Sequence, residues 1–464
     1  MTRRRPNRRR VLAAMASAAL FPLGARAEEA LPLPPASSVI SAEKTRRFLM
    51  GREVAPTELW QFVAPDKTPV LRARQGQEFR LRVSNTLDEE IWLHFFGIRG
   101  PADMMTVPIQ PGAGNAADIV FTPPDAGTFW FGPLVNASRQ RDMGLAGMLI
   151  VEEATPPVAF TDVPLVFDDW ILDGQGGMDQ SFGNLEAAIG KGRLGNWFTV
   201  NSEYKPQIGI DRSKPTRLRL LNACNTRTLT LQLRNVDVLI LAEDGQPVTP
   251  RAPGLEPITL APGQRKDMLV VNILDQGIIS LDLQEDVVEA VFLMGKGTQA
   301  TALPDDFRLP DNPVPALPEG DPRIVPFVVL GGENGGLKSA RVGELTLELR
   351  QLLEKGLAWS VNGVAGLGGP FLFEARKGEA IALAVENRTA FSQPLHIHGH
   401  VWKLVESDGK PVDGQGWGDT AVIPAKTMAK LLLVADNPGP WAIQSLIAER
   451  SDAGLIGAFR VLES

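Results

Sequence analysis

The chain is predicted to be an all-β protein of three related β-sandwich units, on three observations. Its 464 residues include 45 Gly and 37 Pro, which break the sequence into many short apolar, β-branched runs. Those runs alternate apolar and polar with the period of a half-buried strand, as in Glu78-Phe79-Arg80-Leu81-Arg82-Val83. A strand ending in asparagine recurs three times, at Asn85, Asn222 and Asn387.

The elements follow in order. Residues 1–27 read as a targeting segment rather than as structure. Arg8, Arg9 and Arg10 precede a modest apolar stretch from Val11 to Leu23, and Ala25-Arg26-Ala27 offers a small-x-small cleavage site after Ala27. The pattern is that of a twin-arginine signal, with a Sec signal carrying an unusually basic start as the other reading. Either one predicts export, to the periplasm. The first unit is assigned to 40–155. It holds alternating strands after Pro69, a strand over Ile91–Phe96, and an aromatic strand over Thr128–Phe131. The second unit, 156–300, contains strands over Leu165–Trp170, Arg217–Asn222 and Met268–Val271. Pro-rich 301–336 reads as a linker. The third unit, 337–464, opens with a candidate short helix over Leu345–Lys355.

Composition excludes several function classes. The formal net charge is −7, and removal of residues 1–27, with seven arginines and no acid, takes it to −14. Nucleic acid and anionic lipid are therefore poor partners. No later apolar run is long enough to span a bilayer. The lone cysteine, Cys224, allows no internal disulfide and reads as a small buried hydrophobe. The nine tryptophans read as core, and Asp168-Asp169 as part of a structural strand.

The chemistry concentrates in four histidines, the only ones in the chain. His94 lies in Trp92-Leu93-His94-Phe95-Phe96-Gly97. His396, His398 and His400 lie in Gln393-Pro394-Leu395-His396-Ile397-His398-Gly399-His400. Imidazole is the commonest transition-metal ligand, so this clustering points to a metal site or to what remains of one.

Several further motifs carry a family resemblance. Arg217-Leu218-Arg219-Leu220-Leu221-Asn222, Asp244-Gly245-Gln246-Pro247, Leu260-Ala261-Pro262-Gly263-Gln264-Arg265, Asp436-Asn437-Pro438-Gly439-Pro440-Trp441 and Gly454-Leu455-Ile456-Gly457 together resemble the three-domain multicopper oxidases of the laccase and copper-efflux type. The resemblance implies three cupredoxin-like (plastocyanin-like) Greek-key sandwiches. It also implies four copper motifs, and this chain departs from every one. His-x-His-Gly reads His94-Phe95-Phe96-Gly97. The Trp-aromatic-His-x-His run reads Trp130-Phe131-Gly132-Pro133-Leu134. His-Pro-x-His-x-His-Gly reads Gln393-Pro394-Leu395-His396-Ile397-His398-Gly399. The final Trp-x-x-His-Cys-His motif reads Trp441-Ala442-Ile443-Gln444-Ser445-Leu446, followed by Arg450 and Leu455.

By role, the blue-copper positions hold Gln393, Ser445 and Arg450. Only His398 matches one of the six imidazoles of the binuclear pair, whereas both ligands of the remaining copper, His94 and His396, are present. His400 falls at a position that is not usually a ligand. No laccase-type turnover is expected. The kind of loss resembles that of the SufI/FtsP type of family member, also twin-arginine exported and stripped of copper ligands.

Three functions stay open at this stage. One is a non-catalytic envelope scaffold or interaction protein with an unidentified protein partner and no cofactor. The second is a copper-binding oxidoreductase with one ion at His94 and His396, joined by His398. The third is a structural or folding role under envelope stress.

Overall fold

The computed structural model describes residues 38–463 except for short breaks at 65–69, 113, 157, 255–256, 284–285, 299–306 and 413–415. The expected signal segment lies outside the described residues. The sheets draw their strands from three separate stretches of chain: 38–152, 161–296 and 323–462.

The first stretch forms two sheets. One orders strands Thr57–Val63, Ser38–Arg47, Phe79–Asn85 and Ala116–Phe121. The other orders Val70–Arg74, Gly147–Glu152, Gly127–Pro133, Ile91–Phe96 and Thr106–Ile109. In Phe79–Asn85 every second side chain is buried, as the alternation requires. Those apolar faces meet the other sheet through aromatic contacts such as Phe95 on Phe121, 5.2 Å between ring centroids. The last stretch repeats this plan with a six-stranded and a five-stranded sheet. The middle stretch is one nine-stranded sheet folded around its own apolar cluster.

The recurrent asparagine has a physical cause. Asn85, Asn222 and Asn387 are each fully buried at a strand end. Each Oδ1 accepts the N–H two residues on, from Leu87, Cys224 and Thr389. Each amide nitrogen donates to carbonyls of a neighbouring loop: Glu89 and Ile109, Arg227 and Leu260, or Phe391, Ile423 and Pro424. A short amide is the side chain that closes its own turn and satisfies two loops at once. Each of these strands also pairs in parallel with the lead strand of its stretch, namely Ser38–Arg47, Thr161–Trp170 and Arg323–Gly331.

Two sequence expectations need correction. Arg323–Gly331 falls inside the expected linker 301–336, yet it is a central strand of the last six-stranded sheet. Its apolar alternation was hidden by Pro326, which the parallel ladder accommodates opposite Ala384. Leu345–Lys355 is a strand, Leu345–Glu348, followed by a helix of six residues, Leu349–Glu354. Six of the nine tryptophans, at 60, 130, 170, 359, 402 and 441, are buried, as expected of core residues.

The first and last stretches interlock. The Asp452 carboxylate accepts the first N–H groups of helix Ala137–Asp142, from Ala137 and Ser138, together with the Ser138 hydroxyl. It thereby satisfies donors that a helix start leaves open. Arg99 binds Asp125 of its own stretch, Asp436 of the last, and the carbonyl of Pro313 in the connection.

Candidate metal centre and the positions around it

The three histidines at 94, 396 and 398 come together between the first and last stretches. His94 sits in strand Ile91–Phe96, opposite Thr106 on one side and Gly132 on the other. His396 sits in strand Gln393–Ile397, opposite Thr420 and Gln444. His398 follows one residue past that strand. A turn at Gly399, with φ at +64°, then sends the chain away. A Cβ there would collide with the Trp441 ring, so the turn admits only glycine.

One donor atom from each of the three imidazoles lies within 4.8 Å of the others. The His94 and His398 rings stack at 4.0 Å between centroids. His94 Nδ1 is 2.7 Å from the Thr106 hydroxyl, and His396 Nδ1 is 3.2 Å from both Asp419 Oδ1 and the Thr420 hydroxyl. The Nε2 atoms of all three are buried and have no hydrogen-bond partner among the described residues. Burial pushes the His94 and His398 pKa values well below the usual imidazole range, and the neighbouring imidazoles push the same way. With Nδ1 engaged at His94 and His396, the lone pairs at Nε2 are left for a Lewis acid. An orphaned buried nitrogen carries a cost of about 1–3 kcal/mol, and three in one place are what a metal ion would relieve. These residues fit one metal ion.

The other positions singled out in the sequence hold side chains that are already engaged. Phe96 stacks flat on Trp130 at 3.7 Å and packs with Leu446 and Leu221 in one apolar cluster. At Gly132 even a Cβ would lie 3.1 Å from the Trp130 ring and 3.2 Å from the Leu145 carbonyl, leaving no room for an imidazole. Gln393, Ser445 and Arg450 form a hydrogen-bonded set. Arg450 donates to the Gln393 side-chain oxygen at 3.0 Å, to the Ser392 carbonyl at 2.9 Å and to the Gly190 carbonyl at 3.3 Å. The Ser445 hydroxyl donates to the same Gln393 oxygen. The guanidinium lies over the Trp359 and Phe391 rings. Burial lowers its pKa to about 10, since its partners are neutral oxygens. A fixed cation with no thiolate near it repels a copper ion.

Behind His396 lies a buried ion pair. Arg265 binds both Asp419 carboxylate oxygens and the carbonyls of Thr128 and Gly263. Gly97 of the first histidine motif packs directly on this pair. Its φ is +85°, and a Cβ there would collide with Asp419 and stand 2.7 Å from Arg265 Nη2. That motif glycine is therefore fixed by contact with charges 168 and more residues away, which no local pattern reveals.

Two multicopper oxidase family models match the chain, over residues 57–156 and 347–464. The solved multicopper oxidase of Pseudomonas thermotolerans superposes with a TM-score of 0.75 at 26% identity, covering 91% of this chain and 98% of that one. These matches and this structural likeness support the multicopper oxidase resemblance. The chain is similar to the multicopper oxidase MmcO of Mycobacterium tuberculosis, 25% identical over 81% of this chain and 77% of that protein. It is also similar to the cell division protein FtsP of Salmonella typhimurium, 25% identical over 96% of each. The three β-sandwich stretches are the cupredoxin-like arrangement of these oxidases.

The sequence signal reached His94, His396 and His398 but missed Thr106, Thr420 and Asp419, which orient them. Hydroxyl and carboxylate residues scattered over 300 positions carry no motif. His400 is buried apart from the cluster, against Trp441 and Phe459. Asp168, Asp169 and Cys224 also converge, Cys224 being buried as expected. Asp169 is committed there to the Arg227 guanidinium and the Gly195 N–H. No helix among the described residues is long and apolar enough to cross a membrane.

Proposed function

We propose that this protein is a non-catalytic, exported member of the multicopper oxidase family that acts through contacts with envelope partners. The observation that carries the reading is the Arg450–Gln393–Ser445 set, which fills the blue-copper position with a guanidinium held by neutral oxygens. Without that copper no electron reaches dioxygen, and Phe96, Gly132 and Leu446 remove most of the binuclear pair. Relatives that match 96% of the chain carry the name of a cell division protein, which supports an interaction role in the envelope. Reconstitution with copper followed by oxygen uptake with a phenolic reductant tests this. Background uptake is expected, and sustained turnover abolished by His396→Ala would overturn it.

A second reading rests on the three unpartnered Nε2 atoms. His94, His396 and His398 hold one metal ion, with Thr106, Asp419 and Thr420 fixing the ring orientations. A bound copper there would supply Lewis acidity or hold a transported ion. Elemental analysis of purified protein tests it: about one ion per chain in the native protein, and loss of that ion in His94→Ala, are expected.

A further inference from the structure

We infer that the three-histidine centre selects a monovalent cuprous ion over divalent ions, an inference that rests on the second reading above. The argument is one of charge. All three side chains are imidazoles, which bind a metal as neutral donors, and among the described residues no carboxylate or thiolate joins the cluster. The carboxylate behind the ligands, Asp419, is paired with Arg265, which grips both its oxygens and also stands 3.3 Å from Asp244. The three imidazoles therefore bring no charge of their own to offset that of an ion.

The centre is also sealed. His94, His396 and His398 are 1%, 0% and 3% exposed. Phe96 stands edge-on to His94 at 4.6 Å and tilts towards His396 at 5.6 Å. Three-histidine zinc sites depend on a fourth ligand drawn from solvent, and the burial of these rings leaves solvent little access. The Born cost of burying an ion rises with the square of its charge, so a divalent ion costs roughly four times as much as a monovalent one. A cuprous ion needs no water and is satisfied by two or three soft or borderline donors, and imidazole suits copper. Nitrogen donors at about 2.0 Å from an ion in a trigonal plane stand about 3.5 Å apart, so a small side-chain rotation closes the observed cluster.

Phe96 is then the residue that sets specificity. Phe96→His adds a fourth imidazole and opens room for water, and it should recruit zinc.

The test is anaerobic titration of the purified protein with Cu(I), delivered against a chromophoric cuprous chelator, beside separate titrations with Zn(II) and Cu(II). The expected result is one Cu(I) per chain, held at least about 100-fold more tightly than Zn(II). His94→Gln should lose the Cu(I), and Phe96→His should gain Zn(II). X-ray absorption of the loaded protein should show two or three nitrogen neighbours and no sulfur. Zn(II) held as tightly as Cu(I) would overturn the selectivity while leaving the three-histidine site standing. Binding of none of the three ions would overturn both. Should His94→Gln fail to fold, the comparison of ions on the unaltered protein still decides.

Discussion

Arg265→Met is the perturbation with the largest expected effect on the architecture behind the histidines. The guanidinium is fully buried and binds both oxygens of Asp419, also fully buried. Burial pushes the Asp419 carboxyl upward, but Arg265 and His396 outweigh it and hold it well below the usual carboxylate range. Removing Arg265 leaves a buried carboxylate uncompensated, which costs about 3–5 kcal/mol. The Thr128 and Gly263 carbonyls each lose a donor, at about 1 kcal/mol apiece. The expected loss is therefore about 5–7 kcal/mol. The loss should shrink as pH falls, because the stranded carboxyl now protonates within the accessible range, whereas in the native protein it stays ionised. The assay is urea unfolding followed by tryptophan fluorescence, with Asp419→Asn and the double variant completing a cycle. The double variant should be more stable than the sum of the singles by about 2–3 kcal/mol. A single-variant loss below about 1 kcal/mol, or strict additivity, would refute the buried-pair reasoning.

Other expectations follow from individual contacts. Asn387→Ala strips donors from the Phe391, Ile423 and Pro424 carbonyls and should cost about 2–4 kcal/mol by the same unfolding assay; a loss of a few tenths would show that the asparagine clamp is incidental. Gly97→Ala drives a methyl into the Arg265–Asp419 pair at positive φ and should lower stability by about 2–4 kcal/mol, a prediction lost if the variant melts like the native protein. Asp168 has its carboxyl pKa raised well above 3.8, first by burial and then by Asp169. The folded state thus holds a proton that the unfolded chain releases, and this group's contribution to stability falls as pH rises from about 4 towards neutrality. Asp168→Asn should flatten that decline in a series of melting temperatures against pH, and an unchanged slope would remove Asp168 as its source.

How much of this was legible in the sequence depends on the range of the interaction. Strands such as Phe79–Asn85 declared themselves because their period is local and their alternation faces a core on one side. The three asparagines marked the repeat for the same reason: each closes a turn two residues away. Strand Arg323–Gly331 was missed because Pro326 and the flanking composition read as linker, whereas its parallel partner lies more than 50 residues on. The three clustered histidines were visible as a rare residue in a tight motif. The groups that orient and back them, Thr106, Asp419 and Arg265, were not, because their meaning arises only when three sandwiches meet. Arg450 was visible as a missing ligand. That it has partners of its own, Gln393 and the Gly190 carbonyl, is tertiary information.

Oxygen consumption by the copper-reconstituted protein, recorded with a reductant in excess, tests the central claim most directly. A rate indistinguishable from copper and reductant alone is expected, with no thiolate-to-copper charge-transfer band in the visible spectrum. Steady uptake that scales with protein concentration, accompanied by that band, would contradict it.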